Sequence, residues 1–426
     1  MNESATETHK DTTVLGGGRG RGLRVFRRVG GTAALAAALL TGVATSGAAA
    51  ADSKPASAGQ DRPELQKAIQ AFVDSGLAAG MQIRVNDERG EWAGSAGVRK
   101  LGASAKPPTN GRFRIGSTTK NFVATLVLQL VDAGELKLDA PVAGYLPQFK
   151  LNPDITVRML LQHTSGLIDY TYDVDTEGKP VQGIPWQGKD WVAKRFHTYT
   201  DEELVRLSLS KGPKFAPGER WSYSNTNYVL AKLLIEKVTG SYEREMKQRI
   251  LQPLKLSRTE LPGTRTDIRG PYAHAYYRYE DAPGQWKVID VTRQNPTWIS
   301  AAGDMISTTK DLQMFFSALN NGKLVSAKLL AEMRKPHPES AALYGRYGLG
   351  TWVQDLNQRL GCGGTVYNHN GSNNGYAALM YSTPDGSKTL TASITSGDAD
   401  ADVAKEFPKA LDNLLKTAFC GENAAS

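Results

Sequence analysis

The strongest constraint on the fold is that strand-like sequences occur near both ends of the chain and are rare between them. Runs with alternating apolar residues predict two strands in the N-terminal part, at Met81–Asn86 and Glu91–Val98. Three more are predicted near the C-terminus, at Thr365–His369, Tyr376–Ser382 and Thr389–Thr395. Because a lone hairpin is only marginally stable, we expect the two ends of the chain to meet in one sheet.

Helical periodicity completes an α/β pattern. Three long segments carry apolar residues at helical spacing. They are Leu65–Val73, Ser117–Gly134 and Val403–Phe419. The middle of the chain holds only shorter helical patterns and is rich in proline, tryptophan and tyrosine. We therefore predict a discontinuous α/β domain at residues 61–140 and 300–421, with a mainly helical domain at 141–299 inserted into it.

The start of the chain has the layout of an export signal. A basic stretch at 19–28 precedes an apolar run at 30–43, and small residues follow as far as Ala51. This order predicts a signal peptide over residues 1–51 and a polar linker over 52–60. An uncleaved membrane anchor is the alternative, but the run is short for a spanning helix. We expect a secreted protein with no stable membrane insertion after cleavage.

The net charge does not indicate a nucleic-acid partner. The full chain carries 51 basic and 43 acidic residues, a net charge of +8. Without residues 1–50 the counts fall to 45 and 40, so the net charge is +5. An excess this small over a long chain suits an anionic envelope surface and gives no sign of an extended basic face.

Cysteine and histidine usage argues against a metal site. The chain has two cysteines, Cys362 and Cys420, and neither a CxxC nor an HExxH spacing occurs. We expect no metal and no organic cofactor. In an exported protein a Cys362–Cys420 bridge is favoured over two free thiols, and closing its loop would stabilise the fold by about 4 kcal/mol.

A serine and a lysine three residues apart can act as nucleophile and base when both lie on one face of a helix. The pattern occurs at Ser117/Lys120, Ser208/Lys211 and Ser307/Lys310. Chance gives one or two copies in a chain of this length, so the pattern alone is weak. The second copy runs into a helix stop at Gly212, and a capping box of Thr308 and Asp311 explains the third.

The first copy opens a long helix without an acidic residue at the capping-box position. Lys120 then lies in the first turn, where the helix dipole disfavours its charge. A lowered lysine pKa is what a general base requires. A plain N-cap serine at Ser117 explains the same residues equally well, so the motif alone leaves both interpretations open.

Two further motifs favour the catalytic interpretation. Tyr223-Ser224-Asn225 is the single Tyr-x-Asn of the chain, and His369-Asn370-Gly371 ends a predicted strand. The three motifs in this order resemble the serine penicillin-recognising enzymes, which include class C β-lactamases, DD-peptidases, esterases and D-aminopeptidases. The segments FRIGSTTK, LLQHTSGL and CGGTVYNHNG are most similar to those of secreted actinomycete D-alanyl-D-alanine carboxypeptidases. Both cysteines also lie where those enzymes have a disulfide.

The resemblance implies the fold of that family: an antiparallel sheet flanked by helices, built from both termini, with an inserted mainly helical domain. It also implies roles for the residues that match. Ser117 would attack the substrate carbonyl, Lys120 would accept its proton, and Tyr223 would relay a proton to the leaving amine. Tyr223 could act as an anion only if a neighbouring cation such as Lys120 favoured its ionised form.

Substrate-binding roles follow from the same resemblance. Asn225 would donate to the substrate amide, and His369 would orient Tyr223 or contact the substrate carboxylate. The backbone N–H groups of Ser117 and Ser372 would form the oxyanion hole, and Gly371 would let substrate lie close to the strand. Asn370 and Ser372 replace two threonines of the carboxypeptidases.

Three other features near the motifs have two interpretations each. Trp298 could line the cleft or belong to the core, and Arg359 could bind a substrate carboxylate or be a surface residue. The loop Asp173–Arg195 could wall the cleft or be ordinary packing. His163 is expected to hold a loop and not to catalyse.

The leading hypothesis from the sequence is a penicillin-sensitive, monomeric D-alanyl-D-alanine carboxypeptidase. Its partners would be peptidoglycan stem peptides as substrates and β-lactams as inhibitors. An esterase, D-aminopeptidase or β-lactamase-like hydrolase is the alternative within the same chemistry. A non-catalytic β-lactam or muropeptide sensor is the alternative in another class, although a sensor need not retain all three motifs.

Overall fold

The computed structural model describes residues 61–174, 177–340, 344–399 and 402–420. The predicted signal peptide (1–51) and linker (52–60) lie outside the described residues. Within these four ranges, no helix is both long and apolar enough to cross a membrane.

Fourteen strands are numbered in chain order within the described residues. They are β1 (Gly80–Asp87), β2 (Gly90–Gly97), β3 (Phe113–Arg114), β4 (Tyr172–Val174), β5 (Pro180–Gln182), β6 (Tyr276–Ala282), β7 (Gln285–Asp290), β8 (Ile306–Ser307), β9 (Arg346–Tyr347), β10 (Trp352–Asp355), β11 (Thr365–Asn368), β12 (Gly371–Asn373), β13 (Tyr376–Ser382) and β14 (Thr389–Thr395).

The same ranges contain eleven α-helices. They are α1 (Pro63–Asp74), α2 (Thr119–Asp132), α3 (Val157–Gln162), α4 (Gly188–Lys194), α5 (Asp201–Leu209), α6 (Thr226–Thr239), α7 (Tyr242–Met246), α8 (Thr309–Asn320), α9 (Ala327–Met333), α10 (Leu356–Leu360) and α11 (Val403–Phe419).

A central antiparallel sheet of eight strands joins the two ends of the chain. Its order is β2-β1-β14-β13-β11-β10-β9, and β12 pairs with β13 next to β11. N-terminal β1 pairs with C-terminal β14 from Gly80 opposite Thr395 to Asn86 opposite Thr389. The predicted sheet built from both termini is therefore confirmed, and so is its antiparallel arrangement.

Alternation along the strands gives the sheet two apolar faces. On β13, Leu379 and Tyr381 belong to a hydrophobic cluster with α1 and α11, whereas Ala378 and Met380 belong to a larger cluster with α2 and α8. The larger cluster also takes in α6, for example through Leu230. Helices thus cover both faces, and the larger cluster anchors the start of α2 against the sheet.

The segment 141–299 holds α3 to α7, as the mainly helical prediction requires, but it also contains two hairpins that periodicity did not reveal. These are β4–β5 and β6–β7. Its boundaries with the α/β domain remain a prediction, since one hydrophobic cluster contains side chains from both.

The two cysteines form a disulfide. The Cα atoms of Cys362 and Cys420 are 5.4 Å apart, and the bridge closes 58 positions of chain. It links the loop before β11 to the C-terminal end of α11, so the predicted pairing is confirmed.

Candidate active site

Ser117 lies in a tight turn that leads into α2. The turn is a 3-10 helix, Gly116–Thr118, and Gly116 has a φ of 51°. No side chain caps the start of α2, because the Thr118 hydroxyl donates instead to the carbonyl of His369 at 2.8 Å. Ser117 is therefore not an N-cap serine, and the turn leaves its hydroxyl facing a cavity.

Lys120 is fully buried directly behind Ser117. Its Nζ donates to Ser117 Oγ at 3.2 Å, to Asn225 Oδ1 at 2.7 Å and to the Ala302 carbonyl at 2.8 Å. All three acceptors are neutral. Burial lowers the pKa of Lys120 to about 7, and the charge of Asp169 opposes this. The expected lowering is present, and its main cause is desolvation.

Tyr223 lies on the other side of the nucleophile. Its hydroxyl shares a hydrogen bond with the Ser117 side chain, and its ring centroid is 4.8 Å from Lys120 Nζ. Burial raises the pKa of Tyr223 well above its usual range. The phenol is therefore neutral and suited to donate a proton, which differs from the phenolate that the sequence analysis considered.

The motif that carries Tyr223 is held by His163 and Asp169. His163 Nδ1 accepts from the Ser224 N–H at 3.2 Å, and Asp169 Oδ2 accepts from the Asn225 N–H at 2.7 Å. The His163 ring lies 4.2 Å from the Tyr223 ring, centroid to centroid. Burial lowers the pKa of His163 well below its usual range, so a neutral His163 holds this loop, as expected.

His369 is buried and contacts Tyr347, whereas a contact with Tyr223 was expected. Its Nδ1 lies 3.0 Å from the Asn370 carbonyl and must donate, so Nε2 accepts from the Tyr347 hydroxyl at 2.9 Å. Burial lowers the pKa of His369 to about 3. A neutral imidazole bonded to Tyr347 supplies neither a contact to Tyr223 nor a positive charge for a substrate carboxylate.

Gly371 lets β12 pass directly against the nucleophile turn. A Cβ at this position would lie 2.0 Å from the Ile115 carbonyl and 2.8 Å from the Ser117 nitrogen. The glycine is therefore required by the approach of strand and turn, before any substrate is considered. The neighbouring Ser372 is exposed. The Asn370 amide donates to the Tyr381 hydroxyl at 2.7 Å.

Ser117 opens onto a cavity of about 420 Å³. Its lining includes polar side chains such as Tyr223 and His369. It also includes apolar side chains, among them Leu77, Ile394 and Phe407. Among the described residues that line this cavity, none is lysine, arginine, aspartate or glutamate.

The remaining predicted contributors lie elsewhere. Trp298 is 7% exposed and belongs to the hydrophobic core, so the core interpretation is supported and it is not among the described lining residues. Arg359 forms an ion pair with Asp412 on α11. In the loop Asp173–Arg195, Trp191 is buried in the core.

The other two Ser-x-x-Lys copies are not paired in this way. The Ser208 hydroxyl donates to the Ile168 carbonyl, and Ser307 Oγ lies 2.8 Å from a threonine hydroxyl. Lys310 is exposed, and the Thr308 hydroxyl caps α8 by accepting from the Asp311 N–H.

Three residues at the site were not singled out from the sequence. Asp169 follows the segment LLQHTSGL by two positions, Tyr228 lies three positions after Asn225, and Tyr347 lies 22 positions before His369. The Tyr228 ring is 5.5 Å from Lys120 Nζ, and its hydroxyl lies 3.4 Å from that of Tyr347. Closeness to a motif or to a named segment was the available signal for Asp169 and Tyr228, and Tyr347 offered no such signal.

Comparison with known proteins agrees with this geometry. The Beta-lactamase family profile matches residues 65–413. The chain belongs to this family. Penicillin-binding protein 4* of Bacillus subtilis is 27% identical over 72% of this chain. The chain spans 65% of that relative's length, and 53% of the length of penicillin-binding protein PbpX from the same organism.

Solved structures of amide hydrolases match nearly over their full length. A D-stereospecific amidohydrolase from Streptomyces sp. is 35% identical, with a TM-score of 0.72, over 85% of this chain and 99% of that one. The D-amino acid amidase of Ochrobactrum anthropi is 25% identical, with a TM-score of 0.69, over 83% of this chain and 97% of that one.

Proposed function

We propose that this protein is a serine hydrolase that cleaves amides of D-amino acids and short D-peptides without a free carboxylate, through an acyl-enzyme on Ser117. When Lys120 is neutral, its two N–H bonds are directed to Asn225 and Ala302, and its lone pair takes the proton of the Ser117 hydroxyl as Oγ attacks the substrate carbonyl. The N–H groups of Ser117 and Ser372 bind the oxyanion. Tyr223 then donates its proton to the leaving nitrogen as the C–N bond breaks, and protonated Lys120 restores it.

Deacylation reverses these roles. A water molecule gives a proton to the same base and attacks the ester carbonyl, and the proton returns to Ser117 Oγ as the acyl group leaves. Asn225, whose amide oxygen already accepts from Lys120 at 2.7 Å, has its NH₂ group free to donate to the acyl chain.

The observation that carries the choice of substrate is the uncharged cavity. A carboxypeptidase has to bind a terminal carboxylate, and burying one without a cation is costly. Yet the described lining residues include no lysine or arginine, and the histidine of the third motif is neutral. An amide or ester substrate carries no such carboxylate, and the apolar lining residues Leu77, Ile394 and Phe407 suit an apolar side chain. The amidohydrolase and amidase neighbours support the same substrate class.

A D-alanyl-D-alanine carboxypeptidase is the second candidate. The complete set of three motifs and the penicillin-binding protein relatives favour it. Its substrate would be a peptidoglycan stem peptide, with β-lactams acting as inhibitors through a stable ester on Ser117. Under either candidate, we propose that the protein acts outside the cell as a monomer.

The two candidates separate by substrate charge. We expect release of ammonia from D-phenylalanine amide, little from its L enantiomer, and slow release of D-alanine from an N-acylated peptide ending in D-Ala-D-Ala. Amidating the carboxyl terminus of the same peptide should speed its cleavage. Faster cleavage of the free acid than of its amide would refute the proposal and favour the carboxypeptidase.

A further inference from the structure

The buried carboxylate of Asp169 bonds to the Tyr-x-Asn motif, and it takes no part in the proton transfers among Ser117, Lys120 and Tyr223. Asp169 is 5% exposed and belongs to the loop after α3. One of its oxygens accepts from the Asn225 N–H at 2.7 Å, and the other accepts from the Thr171 N–H at 2.8 Å and hydroxyl at 2.7 Å. Both oxygens are thus fixed in orientation.

Asp169 is placed to act on the reacting groups in two ways. Through the Asn225 backbone it fixes the residue whose side-chain oxygen holds Lys120 Nζ. Through space its negative charge acts on Lys120, whose three hydrogen-bond acceptors are neutral. Burial raises the pKa of Asp169, and the hydrogen bonds from Asn225 and Thr171 together with the Lys120 charge oppose this rise. Lys120 gains a positive charge each time it takes the serine proton, and in a buried site that cation needs a counter-charge.

We propose that Asp169 is a positioning residue for the reaction, which holds Asn225 at Lys120 and offsets the charge that Lys120 acquires in the transition state. The proposal rests on Ser117 and Lys120 being the catalytic pair, whichever substrate is cleaved.

Other titratable groups lie around Asp169, and a test must distinguish their effects on Lys120 from the effect of Asp169. Tyr170 and Tyr223 face it, and burial raises the pKa of both, so they stay neutral. Asp173 accepts from the Asp169 N–H at 2.9 Å and pairs with Lys214. Asp173 is buried in β4, directly after this loop, but it is Asp169 whose charge acts on Lys120.

This arrangement provides a matched control. Asp169→Asn removes the counter-charge and keeps an acceptor, whereas Asp173→Asn disturbs the same loop without changing the charge facing Lys120. Removing the negative charge lowers the pKa of Lys120 further. The acid limb of the rate profile should therefore move to lower pH by about one unit in Asp169→Asn, and the plateau rate should fall about tenfold because the lysine cation is less stabilised.

The measurement is the rate at which phenylmethanesulfonyl fluoride inactivates the protein between pH 5 and 9, with intact mass confirming one adduct. Ser117 Oγ displaces fluoride and its proton passes to Lys120, so no natural substrate is needed. Asp169→Glu, which restores the charge, should return the limb to its wild-type position. If Asp169→Asn does not fold, Asp169→Ser removes the same charge and should shift the limb in the same direction.

Asp173→Asn should keep the wild-type limb. An unshifted limb in Asp169→Asn, with a loss of rate no larger than in Asp173→Asn, would show that Asp169 is a loop scaffold and overturn the proposal. Absence of a Ser117 adduct in the wild-type protein would overturn the assignment of Ser117 and Lys120 as the catalytic pair. Amide hydrolysis is measured in a separate assay, so failure of the proposed substrate is distinguished from failure of the role of Asp169.

Discussion

The pH dependence of activity should reveal the buried lysine. Lys120 can act as a base only when neutral, and burial brings its pKa to about 7. The rate constant kcat/KM should therefore rise with pH through about 7, falling roughly tenfold for each pH unit below it. At pH 8 about nine tenths of such lysines are neutral, whereas an ordinary lysine would be neutral in roughly 0.4% of molecules.

Two other ionisable groups at the site, His369 and Tyr223, should not produce this limb. Burial holds the pKa of His369 at about 3 and raises the pKa of Tyr223 well above its usual range. Neither group changes its charge between pH 5 and 9.

The assay is kcat/KM for an N-acylated D-amino acid amide between pH 5 and 9, because a free α-amino group would itself titrate at about pH 8. Lys120→Arg, which keeps a permanent positive charge, should remove activity at every pH. His369→Gln should retain the limb near pH 7 even if the rate falls. A limb that disappears in His369→Gln, or activity that survives in Lys120→Arg, would refute the assignment of the base.

Three further predictions concern the surroundings of the site. Gly371→Ala forces a Cβ against the nucleophile turn and should cost about 1–3 kcal/mol of stability with loss of acylation; Gly144→Ala, which meets open space, should leave both unchanged in thermal unfolding and acylation assays. Replacing Cys362 and Cys420 by serine should lower the free energy of unfolding by about 4 kcal/mol in urea titrations, and an unchanged midpoint would contradict this. Tyr347→Phe removes the hydroxyl that donates to His369 Nε2 and leaves this buried nitrogen unpaired, so the free energy of unfolding should fall by about 1–3 kcal/mol. A melting temperature equal to that of the wild type would show that the bond contributes nothing.

The sequence predicted the elements whose pattern is local and long. β13, β14 and α11 begin and end where periodicity placed them, because a hairpin turn and a continuous apolar stripe define their limits. β9 and β12 have two and three residues, too few to show a period. The β6–β7 hairpin was missed because β7 is mostly exposed and carries little alternation.

At the site, residue identities were predictable and their environments were not. Ser117, Lys120 and Tyr223 come together as the motifs indicated. The neutral state of His369 depends on burial by segments distant in the chain, and so do most of the pKa change of Lys120 and the place of Trp298 in the core. Asp169 escaped notice because its contact with the Tyr-x-Asn motif spans 56 positions.

The most direct test of the account is to quench turnover of a D-phenylalanine ester or amide with acid and map the acyl group by peptide mass spectrometry. The account predicts one acyl adduct on Ser117, absent in Ser117→Ala and unchanged in Ser307→Ala. An adduct on Ser307, or turnover that survives in Ser117→Ala, would contradict it.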